Sequence, residues 1–334
     1  MANKYLEQDE IDNGEEKCLY NNFNVKDKAI MINQVNLAYC KINESGDLKF
    51  LKETFPYMKE LDLEGNLFTC WSQIFSILDQ LNDLKLINLS NNTMSIPEQS
   101  KFSFDVKNVY PNIQHLIINR MNYTWSHIQQ VLKHFPNLIE LKVCFNSIDN
   151  IESVDVALLR KVKILDLESN PINEWNDLKK IGSLTELETL YANEIGLSTI
   201  NFNEVSDLKT DLFPKLKVFS LNDNKINDWK SINELRKLPK LEGLVIKFNP
   251  LNNTDSVENF RQLIIAKLPD MKMFNRTVIS NGERKGSEID YLKKFGHEWI
   301  KITENPDDTT AKLKFLKEHT SYLKLIESKV EINH

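Results

Sequence analysis

An α/β solenoid, in which short parallel strands are each returned by a helical or irregular segment, is the fold class predicted by three features of this sequence. An apolar pattern of the form L-x-x-L-x-L-x-x-N can be aligned nine times, ending at Cys40, Asn66, Asn92, Met121, Asn146, Asn170, Ile195, Asn224 and Asn249. The steps between those positions are 26, 26, 29, 25, 24, 25, 29 and 25 residues, a period at which one supersecondary unit repeats. Pro56, Pro111, Pro136, Pro214 and Pro239 each stand shortly before a repeat's strand, where they end the preceding helical segment.

The strand is the first element each repeat must form. In "LEGLVIKFN" Leu244 and Ile246 alternate with Val245 and Lys247, so one pair faces a core and the other faces solvent. One such strand cannot bury its apolar side alone. Neighbouring repeats must therefore stack, with parallel strands and crossovers passing over the buried side. The terminal Asn follows, its amide placed to satisfy turn backbone within its own repeat and the next. The return segment is legible in "WSHIQQVLKHFPNL", where Trp125, Ile128, Val131 and Leu132 keep helical spacing. This is the grammar of a leucine-rich repeat: a curved parallel sheet on the concave side, helices and irregular segments on the convex side.

Above the single repeat lies a longer period. Trp71 and Trp175 are 104 residues apart, as are Trp125 and Trp229, and the two 29-residue steps fall at matching places. Repeats two to five and six to nine are therefore expected to be copies of one four-repeat block. The four tryptophans read as core anchors opening their helices, in preference to a recognition stripe.

The chain ends in helices. Val257, Phe260, Leu263, Ile264 and Leu268 mark one helix, and Ile289, Leu292, Phe295 and Trp299 share a face of a second, suited to cap the last repeat. Leu313, Leu316, Leu323 and Ile326 predict one more. The expected domains are a flexible acidic N-terminal segment (1–27), the repeat solenoid (28–251), its C-terminal cap (252–302) and a terminal helix and tail (303–334).

Composition excludes more than it assigns. A net charge of -6 gives no general attraction to nucleic acid or an anionic membrane, so neither is an expected partner. Cys18, Cys40, Cys70 and Cys144 are too far apart for a CxxC pair and read as reduced thiols in a cytoplasmic protein. "MANKYLEQDEIDNGEEK" has no apolar stretch of the secretory kind. With 9 Gly and no G-x-x-x-x-G-K-[ST] or G-x-G-x-x-G, no phosphate-cradling loop is present. The carboxylate pairs Asp62/Glu64 and Asp166/Glu168 fall at outward strand positions, where solvated surface is a better reading than acid–base catalysis. No enzyme, cofactor or metal is expected, and the strand wall, on the order of 40 Å along nine strands, suits a protein partner. The candidate binding residues on that concave wall are Asp62, Glu64, Lys142, Phe145, Asp166, Glu168, Tyr191, Lys247 and Phe248.

Two sets of residues carry a family resemblance. Asn-x-x-x-x-Trp recurs at Asn66 to Trp71, Asn170 to Trp175 and Asn224 to Trp229, and the cap reads "RQLIIAKLPDMKMFNRTVISNGERKGSEIDYLKKFGHEW". Together these resemble the tubulin folding cofactor E family over roughly residues 28 to 330, with cofactor E-like proteins as the second match. The resemblance implies a cytoplasmic, cytoskeleton-associated chaperone without an active site. Its implied partners are α-tubulin or the tubulin heterodimer and other tubulin folding cofactors. The CAP-Gly and ubiquitin-like domains that flank the repeats in that family are not expected in this chain. The alternative is a leucine-rich repeat scaffold or regulatory subunit for another complex, of the phosphatase-regulator or spliceosomal type.

Overall fold

The computed structural model describes residues 32–44, 46, 48–96, 108–202, 208–253, 256–304 and 309–330. The expected N-terminal segment, and Cys18 within it, lie outside the described residues. The chain divides into two compact units: Met1–Ser147 with Ala157–Val162, and Ile148–Val156 with Lys163–His334. The main division follows the fifth repeat, where the duplicated blocks expected from the sequence would meet.

The first unit holds strands β1 (Gln34–Asn36), β2 (Glu60–Asp62), β3 (Leu86–Asn88), β4 (His115–Ile117) and β5 (Glu140–Lys142). They pair in chain order, all parallel, with Val35, Leu61, Ile87, Leu116 and Leu141 in register. Each of those central residues is buried. Helices α1 (Leu48–Thr54), α2 (Trp71–Leu78) and α3 (Trp125–Leu132) supply the returns. Thr124 caps α3 by accepting a hydrogen bond from His127 N–H, which meets one of the orphan donors of the first turn.

The second unit continues the plan with β6 (Ile164–Asp166), β7 (Thr189–Tyr191), β8 (Val218–Ser220), β9 (Gly243–Val245) and the short β10 (Met273–Phe274), again parallel and in chain order. β11 (Thr277–Val278) turns back antiparallel against β10. The returns are α4 (Trp175–Leu178) and α5 (Trp229–Glu234), each extended by a 3₁₀ turn. α6 (Val257–Lys267), α7 (Asn281–Glu304), α8 (Thr309–Glu318) and α9 (Tyr322–Val330) close the chain.

The four tryptophans open α2, α3, α4 and α5. Trp71, Trp125 and Trp175 are buried, and Trp229 packs half-buried against Phe260, so they are core anchors. In the first unit Trp71 Nε1 donates to the Tyr123 hydroxyl at 3.0 Å, which in turn donates to the Met94 carbonyl at 2.7 Å. The corresponding indole in the second unit, Trp175, has no partner among the described residues for its buried Nε1. Counted from the terminal positions Met121 and Asn224, Tyr123 corresponds to Ile226, whose side chain cannot accept.

The structure departs from the periodicity at the C-terminus. The segment expected as a single terminal helix is two, α8 and α9. Their core contributions come from Phe315, Tyr322 and Leu325, packed with Leu263, Ala266 and Tyr291. Leu313 and Leu323 face solvent, as does Val257 at the start of α6. Aromatic bulk at 315 and 322 decides which face is buried, and the break around His319 rotates the helical phase that a leucine spacing assumes.

Candidate functional site

The terminal asparagines build the frame on which outward residues sit. Asn66 Oδ1 accepts from Cys40 N–H and Ile42 N–H, while its Nδ2 donates to the Leu37 and Leu63 carbonyls. Asn146 does the same for Met121, Tyr123, Ile118 and Val143, and Asn224 for Ile195, Leu197, Ala192 and Leu221. These side chains are buried, so each amide replaces water for backbone of the preceding repeat.

The residue before each terminal position has left-handed backbone. Tyr39, Gly65, Asn91, Arg120, Phe145, Ser169, Glu194, Asp223 and Phe248 all have φ between 52° and 63°. Only one of the nine is glycine. The turn aims that residue's N–H at the next repeat: Tyr39 N–H donates to Glu64 O, Gly65 to Ser90 O, and Asp223 to Lys247 O. It also throws the side chain outward at the strand's C-terminal end. This row was not anticipated by periodicity, because glycine, its usual sequence signal, is nearly absent.

Phe145 and Phe248 both occupy that row. Phe145 is 41% exposed, with the Arg120 guanidinium stacked 3.8 Å from its ring centroid. Phe248 is 74% exposed and follows the exposed Lys247. A bulky residue in left-handed backbone costs about 1 kcal/mol or more, and an exposed ring recovers little of this by burial. At Phe145 the Arg120 contact offsets part of that cost, whereas at Phe248 stability alone does not favour phenylalanine. Tyr191 lies in β7, half-buried, between Asp166 and Ser220 in register.

The acidic candidates sit differently. Asp62 Oδ1 accepts from Glu64 N–H at 2.9 Å, and Asp166 Oδ1 from Glu168 N–H at 3.2 Å, so both finish their own strands. Glu64 accepts from the Tyr39 hydroxyl and Asn88 Nδ2, and Glu168 from Asn193 Nδ2. Lys142 lies 3.3 Å from Glu140, which also meets His115 Nδ1 at 2.8 Å. Burial pushes the Glu140 carboxyl up, but the His115 hydrogen bond and the Lys142 charge outweigh it and hold it below the ordinary value. His115, Arg120 and Glu140 were not singled out from the sequence, since pairings across repeats leave no local motif. The outward column is also less open than alternation implies. Asn88, Ser220 and Val245 are buried, with Ser220 Oγ donating to Asn193 Oδ1 at 2.7 Å.

Among the described residues no group of His, Cys, Asp and Glu side chains could hold a metal ion. No helix among them is long and apolar enough to cross a membrane. Cys40, Cys70 and Cys144 form no disulfide among the described residues.

No family model matches the chain. It is 34% identical over 294 residues to tubulin-specific chaperone E of Mus musculus, covering 87% of this chain and 55% of that protein. The chain is a relative of tubulin-specific chaperone E. The Danio rerio chaperone E is 33% identical over 310 residues, covering 91% of this chain and 58% of its own length. The tubulin-specific chaperone cofactor E-like protein of Rattus norvegicus is 27% identical over 270 residues, covering 80% and 62%, in keeping with its place as the second resemblance. The chain thus spans rather more than half the length of the tubulin-specific chaperone E proteins it matches. Among solved structures it is similar to internalin C2 of Listeria monocytogenes, at 21% identity over 64% of this chain and 80% of that one, with a TM-score of 0.42. The parallel strands in chain order, each closed by its terminal asparagine or equivalent, are those of a leucine-rich repeat solenoid, followed by a C-terminal helical region.

Proposed function

We propose that the chain is a tubulin folding cofactor, a non-enzymatic chaperone and scaffold. It binds α-tubulin, alone or in the heterodimer, and acts with other tubulin folding cofactors in the dimer's assembly or disassembly. It works in the cytoplasm, associated with the cytoskeleton. The observation that carries this reading is the 34% identity to tubulin-specific chaperone E across 87% of the chain. Residues 28–251 act as the binding solenoid, 252–302 as its cap and 303–334 as a terminal helical extension.

Contacts are proposed to come from the outward strand-end residues of each unit. In the first these are Lys142 and Phe145, with Asp62 and Glu64 as fixed acceptors. In the second they are Tyr191, Lys247 and Phe248, with Asp166 and Glu168 in the same part as the other acidic pair. The exposed rings in a backbone conformation unfavourable to them support this choice, since anchors of that kind commonly dominate interface energies.

Co-elution of the purified chain with αβ-tubulin on a sizing column tests the function, with protein phosphatase 1 in parallel. A shifted tubulin peak is expected. A shifted phosphatase peak with free tubulin would replace the reading with that of a phosphatase regulator. The double variant Tyr191→Ala/Phe248→Ala is expected to weaken tubulin binding while remaining folded, and undiminished binding would remove both residues from the interface.

A further inference from the structure

A cleft of about 870 Å³ opens in the second unit, away from the strand-end residues considered above, among α5, α8, α9 and the loop after α6. Seven cationic side chains line it against four acidic ones, in a chain whose net charge is -6. Three of the four acids are already engaged. Asp228 caps α5 by accepting from Ser231 N–H, Glu234 pairs with Lys237, and Asp270 pairs with Lys209. By contrast Lys230, Lys314, Lys317 and Lys324 are exposed, and none forms an ion pair among the described residues. They come from three elements: Lys230 from α5, Lys314 and Lys317 one helical turn apart on α8, and Lys324 from α9. Four solvated ammonium groups facing one cleft repel one another unless an anion joins them.

We propose that this cleft binds a carboxylate-rich peptide segment of a partner protein. Two features favour peptide over polyphosphate. Leu238, Leu268 and Met271 are covered, and the apolar surface open to a guest is that of half-buried Pro269 and the aliphatic stems of the exposed lysines, which suits peptide side chains and offers a phosphate nothing. The cations are separate lysines interspersed with fixed carboxylates. That spacing matches single charges distributed along an extended strand and opposes a dense phosphate cluster. The site is independent of the tubulin reading and stands or falls separately from it.

The test uses the whole chain and a fluorescein-labelled peptide of about eight residues, mostly Glu with one Phe, followed by fluorescence anisotropy at low and high salt. Binding that weakens with salt is expected, as is a loss of about tenfold or more in the variant Lys314→Glu/Lys317→Glu/Lys324→Glu. A variant of equal net charge, Lys52→Glu/Lys133→Glu/Lys285→Glu, reverses exposed lysines outside the cleft and is expected to bind nearly as the parent does. Circular dichroism establishes that both variants are folded. No binding by the parent, or equal loss in the two variants, would overturn the cleft. Displacement by inositol hexakisphosphate at lower concentration than by unlabelled peptide would overturn the peptide and assign the cleft to a polyphosphate.

Discussion

Replacing Asn224 by alanine tests the amide frame most directly. Asn224 is 5% exposed. Its Oδ1 accepts from Ile195 N–H at 3.2 Å and Leu197 N–H at 3.0 Å, and its Nδ2 donates to the Ala192 carbonyl at 2.8 Å. Three backbone groups of the preceding repeat therefore lose a partner together. A buried polar group left unmatched costs ~1–3 kcal/mol, which gives a raw sum of ~3–9 kcal/mol. Water entering the vacated space recovers part of this, so the expected loss is about 4 kcal/mol. Urea denaturation followed by circular dichroism measures it, with the exposed Asn150→Ala as a control expected to stay within ~0.5 kcal/mol. Asn224→Asp adds a check of sign. The new carboxylate would face carbonyl oxygens in a buried site, raising its folded pKa above the usual ~3.9. Ionisation then favours the unfolded chain once pH exceeds that unfolded value, so the Asp variant must lose stability relative to the parent as pH rises above about 4. A loss below about 1 kcal/mol for Asn224→Ala, or a pH-independent Asp variant, would refute the claim that this amide substitutes for water.

Other outcomes follow from the same geometry. Tyr123→Phe strips Trp71 Nε1 and the Met94 carbonyl of a buried partner and is expected to cost ~1–3 kcal/mol, whereas Trp175→Phe, which removes an indole N–H without a partner among the described residues and adds no polar atom, is expected to relieve that term and lose only packing; urea midpoints compare the two. Phe248→Asn puts a residue tolerant of left-handed backbone at φ 59° and is expected to raise unfolding free energy by up to about 1 kcal/mol while weakening tubulin co-elution. His319, which meets the Tyr291 hydroxyl at 2.8 Å, is held down to about 4, first by burial and then by the Lys267 charge. A histidine whose folded pKa lies below its unfolded value stabilises the fold above that unfolded value, so the second unit is expected to weaken as pH falls from about 6.5 to 4, more steeply than in His319→Leu.

The repeat itself was legible because its signals are local and repeated. Apolar alternation gave Leu244 and Ile246 their inward direction, and both are buried. The amide role of Asn66 and its counterparts followed from one physical demand, that turn backbone removed from water must find a partner. Legibility fails where residues far apart in the chain decide the outcome. Arg120 reaches Phe145 and His115 reaches Glu140 across one repeat, and neither pair has a spacing that singles it out from any other two residues about 25 apart. The helical ends show the same limit, since leucine periodicity selected Leu313 and Leu323, while Phe315 and Tyr322 bury more surface and take the core.

The left-handed row shows why candidate binding residues are harder to read than a fold. The conformation belongs to the repeat, since all nine residues adopt it whatever their side chain. The frame therefore fixes the backbone at a cost that only glycine and, in part, asparagine escape. At Gly65 the cost vanishes, and the Tyr39 ring lies where a Cβ would stand. At Phe248 it is met in full by a side chain that stays 74% exposed. A residue that neither relieves backbone strain nor fills the core contributes nothing to folding that asparagine would not improve. The role proposed for it is in what it touches outside the chain, and Phe248→Asn separates the two roles: a gain in stability without loss of tubulin would leave the ring with neither.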